Sequence, residues 1–163
     1  MWDNMHLDNL DSVEWLLAAL HHGSLLWVTD GSYDGHRAPD ISGAGWVVLD
    51  TTTDRRWACS FIEVSPSANS YRAELLGLYS IHIFIHALFT HFQLKSQPKI
   101  KLRCDNKGAL RTSSRTTVRI RASSKCADIV RAFHALHQQL QADIHYRHVS
   151  AHMDDILRWD QLT

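Results

Sequence analysis

The sequence predicts an α/β domain whose mixed central sheet has about five strands, a hairpin plus parallel strands, flanked by helices. Three observations carry that prediction. Leu25–Thr29 is an uninterrupted apolar run that suits a strand buried on both faces. Gly43–Leu49 and Trp57–Val64 read as two strands joined by the turn-rich segment Asp50–Arg56, an antiparallel hairpin. A long helical pattern opening at Ser70 then leads into a second strand, Lys99–Asp105. A crossover of that length places this strand beside the first and parallel to it.

Taken in order, Leu10, Val13, Leu16, Leu17 and Leu20 recur at helical spacing, and Gly23 follows as a stop. Residues 1–22 are therefore a leading helical segment and residues 23–163 the main domain. Tyr33–Asp40 is polar and turn-rich. Ser65–Asn69 leads into the long helix, for which Ser70 is the expected N-cap. Steps of about 3.6 residues from Glu74 land near Leu78, Ile81, Ile85 and Leu88, so Glu74 heads the stripe facing the core. Asn106–Leu110 reads as a short helix, Lys125–Gln141 as a longer one and Asp143–Val149 as the last strand. Arg111–Ser124 is basic and Ser/Thr-rich with no clear period.

Bulk properties narrow the class. With 163 residues, 45% apolar and 21% charged, the chain supports one domain with its own core. Three widely spaced cysteines provide neither a disulfide framework nor a zinc-finger spacing, which suits an intracellular setting. Leu75–Phe92 is interrupted by His82, His86 and His91 and makes a poor membrane span. The N-terminus lacks a signal-peptide pattern. The formal net charge of zero conceals an asymmetry: residues 1–63 hold ten acids and three bases, residues 95–147 three acids and twelve bases. A basic half of that kind suits a polyanion-binding face, or else a solvated surface balanced by the acidic half.

Two strands end on carboxylates, Asp30 in WVTDGS and Asp105 in IKLRCD. In open α/β sheets, ligands bind at the carboxyl ends of the strands, where both aspartates fall. Glu74, in the first turn of the long helix, would be costly to bury unless paired or bound to metal. Acids supplied by three separate elements to one sheet edge are a suitable holder for divalent metal. Other readings of single features are weaker. Asp-Gly is a common turn pair, and an acid in a first helical turn is favoured by the helix dipole. His82 and His86 are one turn apart, as zinc ligands can be, but read as packed residues; His134 and His137 read as surface residues. Trp27 and Trp46 read as core, and Trp57 as exposed at a strand start.

TDGS at Thr29–Ser32, YRAELLGL at Tyr71–Leu78, CDNKGAL at Cys104–Leu110 and HVSAHMDD at His148–Asp155 resemble the ribonuclease H family in order and spacing. They are most like the ribonuclease H domains that follow reverse transcriptases in retroelements, and the likeness spans roughly residues 24–155. The resemblance implies a metal-dependent endonuclease that hydrolyses the RNA strand of an RNA–DNA hybrid. It implies two divalent cations, Mg2+ or Mn2+, on all-oxygen ligands Asp30, Glu74 and Asp105. His152 matches the family's mobile catalytic histidine. Gly31, Ser32, Arg72 and Asn106 match nucleic-acid-binding positions, with an adjoining reverse transcriptase domain as a partner and no membrane.

Two departures stand out. The family's fourth acid commonly follows the histidine by ten residues, a position held here by Leu162. Asp160, Asp154 and Asp155 are candidates, as is a residue beyond Thr163, which would make the domain truncated at its C-terminal helix. Ala151 stands where a glycine is usual before the histidine. The alternatives to an active hybrid nuclease are a catalytically impaired nucleic-acid-binding remnant of the same fold and a DNA-directed nuclease of the same superfold.

Overall fold

A computed structural model describes residues 13–94, 98–115, 119–121, 126–140 and 142–150. The elements are α1 (Glu14–His22), β1 (Leu25–Tyr33), β2 (Ile41–Asp50), β3 (Arg56–Val64), α2 (Ser70–His91), β4 (Lys99–Cys104), α3 (Lys107–Ser114), α4 (Ala127–Gln139) and β5 (Asp143–His148). They form a five-stranded sheet in the order β3-β2-β1-β4-β5. β1, β2 and β3 pair antiparallel, whereas β1, β4 and β5 run parallel. The expected mixed sheet and the parallel placement of the first strand beside Lys99–Asp105 are both present.

Strand alternation sorts the side chains into two faces. Trp27 on β1, Trp46 on β2, and Trp57, Cys59 and Phe61 on β3 are buried on the face that receives α2. Phe84 of α2 lies 5.1 Å from Trp46 and 5.9 Å from Trp27 between ring centres, and Trp15 of α1 meets Trp57 edge-on at 5.4 Å. Trp57 is therefore core, contrary to the expectation of exposure, because α1 and α2 both close over the start of β3. Leu78, Ile81, Ile85 and Leu88 are all buried, as the stripe through Glu74 requires. By length and composition α2 could cross a membrane, but 72% of that stretch is buried inside this fold, the signature of a core helix.

Several boundaries differ from the sequence reading. Asp30 is not the last residue of its strand, since β1 continues to Tyr33 by pairing with Ser42, Gly43 and Ala44 of β2. On the β4 side the ladder does stop, with Thr29 opposite Cys104. The cap of α2 is Asn69, whose side chain accepts from Arg72 N; Ser70 is already helical. The short helix after Asp105 runs on to Ser114, with Asn106 as its cap. His134 is buried and His137 half-buried, because α4 packs on α2 through that side. The expected helical residues before Val13 lie outside the described residues.

Candidate metal centre

Asp30 and Asp105 are each the first residue past the parallel Thr29–Cys104 pairing, so the two chains diverge there side by side. The N-terminal turns of α2 cross directly over this point. A Cβ on Gly31 would lie 2.5 Å from Glu74 N and 2.7 Å from Ala73 C, and one on Gly77 would collide with Thr29 Oγ1. Glycines thus let the helix backbone rest on β1 and bring Glu74 to the two aspartates. On the far side, His148 Nε2 donates to the Asp105 carbonyl oxygen at 2.8 Å, and Val149 N donates to Cys104 O at 3.1 Å. β5 therefore holds the Asp105 turn from below.

Glu74 is buried, with 6% of its surface exposed. Burial pushes its carboxyl up to about 7, and the charges of Asp105 and Asp30 push the same way. The Cys104 thiol and the Gly31 N–H donate to it and act in the opposite sense. One ligand atom each from Glu74, Cys104 and Asp105 lies within 4.8 Å of the others, the one such cluster among the described residues. Asp105 Oδ1 is buried and has no hydrogen-bond donor among the described residues. A crowded carboxylate held half-protonated, a second with an unsatisfied buried oxygen and a third whose charge reaches the first fit a divalent cation. Asp30 is more exposed, sits outside the tight cluster, and accepts from Gly31 N at 2.9 Å.

The ligand set is not purely oxygen. Cys104 Sγ donates to Glu74 Oε2 at 3.6 Å and accepts from Asn106 N at 3.3 Å. Burial, with the nearby carboxylates, pushes this thiol up to about 12. The all-oxygen centre expected from sequence is corrected to one with a thiol on its edge. The strand alternation Ile100, Leu102, Cys104 held the signal, since it aims the cysteine at the helix that carries Glu74.

The remaining predicted residues are distributed as follows. Ser32 is exposed on β1, two positions past Asp30. Asn106 Oδ1 accepts from Ala109 N at 3.0 Å and caps α3. Arg72 is tied down: it meets both Glu63 oxygens at 2.7–2.9 Å and both Asp128 oxygens at 2.8–2.9 Å. These carboxylates hold the guanidinium well above its usual range. Arg72 thus clamps β3, α2 and α4 together, a role that sequence reasoning missed. His152, Asp154, Asp155 and Asp160 lie outside the described residues. His82, buried in the core, accepts from the Tyr146 hydroxyl at 2.7 Å while its Nδ1 donates to Leu78 O at 2.7 Å.

No protein-family model matches the chain, and no curated protein is similar to it in sequence. Solved structures do match. The RNase H domain of PFV aligns with a TM-score of 0.56 and 10% identity, covering 84% of this chain and 85% of that one. LC11-RNase H1, isolated from compost and solved in complex with an RNA/DNA hybrid, aligns at 0.52 with 14% identity, covering 79% and 87%. The N-terminal RNase H domain of a Mycobacterium tuberculosis protein aligns at 0.51 with 18% identity, covering 81% and 86%. A foamy viral protease–reverse transcriptase in complex with an RNA/DNA hybrid aligns at 0.52 with 12% identity, covering 81% of this chain and 18% of that one. With its five-stranded mixed sheet, its crossing helix and these neighbours, the chain has the ribonuclease H fold.

Proposed function

We propose that the chain is a metal-dependent endonuclease that hydrolyses the RNA strand of RNA–DNA hybrids, derived from a retroelement in which a reverse transcriptase domain adjoins it. The observation that carries this reading is the convergence of Glu74 and Asp105, with Asp30 in electrostatic range, at the carboxyl ends of β1 and β4. The TDGS, YRAEL and CDN motifs occupy that site, and the fold neighbours include RNase H domains solved on RNA/DNA hybrid.

Asp30, Glu74 and Asp105 would hold two Mg2+ or Mn2+ ions, which activate water and stabilise the leaving oxygen of an in-line displacement. The chain's own residues set up that chemistry. Gly31 fixes the helix–strand spacing, and Glu74 is kept crowded and ready to lose its proton on metal binding. Ser32 and the Gly31 backbone border the site along β1, and Asn106 borders it at the start of α3, where 2′-hydroxyl and phosphate contacts are read. Arg72 supports this surface from behind by clamping α2. His152 is proposed as the proton-transfer or product-release residue.

Cleavage of a labelled RNA–DNA hybrid in Mg2+ or Mn2+, beside single-stranded RNA and duplex DNA, tests the reading. Hybrid-selective cutting lost in Asp30→Asn supports it. Binding without cutting identifies the impaired remnant, and cutting of duplex DNA identifies the DNA-directed alternative.

A further inference from the structure

We infer that Cys104 makes this centre a binding site for a sulfur-preferring divalent cation of the zinc or cadmium class, held by Cys104 Sγ with the Glu74 and Asp105 carboxylates. Two independent features carry this. The first is spacing: Cys104 Sγ and Glu74 Oε2 are 3.6 Å apart. A tetrahedral zinc with Zn–S near 2.3 Å and Zn–O near 2.1 Å has an S···O edge of about 3.6 Å, so those two atoms already stand at ligand separation. The second is the unsatisfied buried Asp105 Oδ1 beside them, a lone-pair donor with no proton donor of its own among the described residues.

The proton count is simple. The S–H bond now donates to Glu74; on metal binding it breaks, an S–metal bond forms in its place and the proton leaves to solvent. The Asn106 N–H that donates to Sγ at 3.3 Å stays in place and supports the charge on the thiolate. Hard Mg2+ has little use for sulfur, whereas zinc and cadmium gain from it, so the cysteine discriminates between the two metal classes at a shared pair of carboxylates. Occupancy by the soft metal therefore competes with the hard one. Cys59 is buried on β3 and Cys126 half-buried before α4, and neither belongs to the acidic cluster.

The inference shares carboxylates with the proposed nuclease site but does not require cleavage. The test is a cadmium titration of the whole chain, read by sulfur-to-cadmium charge-transfer absorption. The expected result is a saturating band that disappears in Cys104→Ala and Cys104→Ser and persists in Cys59→Ala and Cys126→Ala. Cadmium affinity should fall roughly 10–100-fold in the Cys104 variants, at least the loss typical when a supporting residue of a metal site is removed, while magnesium affinity stays unchanged. X-ray absorption on the zinc-loaded wild-type chain needs no variant and should show one sulfur neighbour at about 2.3 Å. A band that survives loss of Cys104, or a zinc shell without sulfur, overturns the inference. Hybrid cleavage without a sulfur band sinks this inference alone; a sulfur band without hybrid cleavage sinks the nuclease reading alone.

Discussion

Gly31 and the backbone nitrogen of Glu74 are in such close approach that a Cβ at position 31 would lie 2.5 Å from that nitrogen. Backbone cannot yield as a side-chain tip can, so Gly31→Ala must push the start of α2 off β1. The expected result is a loss of about 1–3 kcal/mol in stability, together with weaker magnesium binding because Glu74 moves with the helix. Urea denaturation and a magnesium titration check the two effects separately.

The pH response of the metal-free protein follows from Glu74. Its carboxyl is raised from 4.5 to about 7 by burial and by Asp105 and Asp30. A raised folded value means that the contribution is intact below the unfolded value of 4.5 and is lost as pH rises through about 7. Saturating magnesium should cancel that alkaline loss by stabilising the ionised form. Glu74→Gln should flatten the profile over this window and make the metal-free fold more stable at about pH 8, measured by denaturant titration at several pH values. A wild-type profile that is flat without metal contradicts the crowding of these acids.

Arg72 is the structural clamp of α2, and its removal leaves Glu63 without its partner against the helix. Arg72→Ala should destabilise the fold by about 3 kcal/mol, the scale for breaking a largely buried ion pair. Arg72→Lys should recover only part of this, since an ammonium cannot meet both oxygens of two carboxylates at once. Thermal melts of both variants provide the check.

An acid-side loss should come from His82. Burial pushes this imidazole from 6.5 down to about 3, so its contribution is present above 6.5 and is lost as pH falls toward 3. Asp50 adds to the same limb: burial opposes its charge, but Ser24, Thr53 and Thr52 all donate to it and hold it well below the usual carboxylate range. His82→Leu should flatten the upper part of this limb while costing about 1–3 kcal/mol at neutral pH, through the Tyr146 hydroxyl left unpaired. Chemical denaturation across the acid range measures both.

The features legible in the sequence were those written in local periodicity. The strand and helix patterns produced the sheet's parallel step and the burial of Glu74, because alternation and the 3.6-residue repeat report directly on which face meets the core. Boundaries set by partner strands were not legible. β1 runs past Asp30 only because β2 is there to pair with it. Trp57 opens a strand and looked exposed, yet Trp15 from α1 covers it. Arg72 read as a free base because Glu63 and Asp128, nine and 56 positions away, carry no local signature of the contact. The Cys104 thiol was visible as a strand residue but not as a neighbour of Glu74, thirty positions earlier on another element.

The most direct test of the centre is the cleavage rate of an RNA–DNA hybrid by the purified chain at saturating magnesium, wild type against Asp30→Asn, Glu74→Gln and Asp105→Asn. Cutting confined to the RNA strand, reduced roughly 100-fold or more in each variant with the fold intact, is the expected result. Magnesium binding at these acids with no cutting of the hybrid, or a rate unaffected by their loss, contradicts the assignment of the Asp30–Glu74–Asp105 centre as a hybrid nuclease.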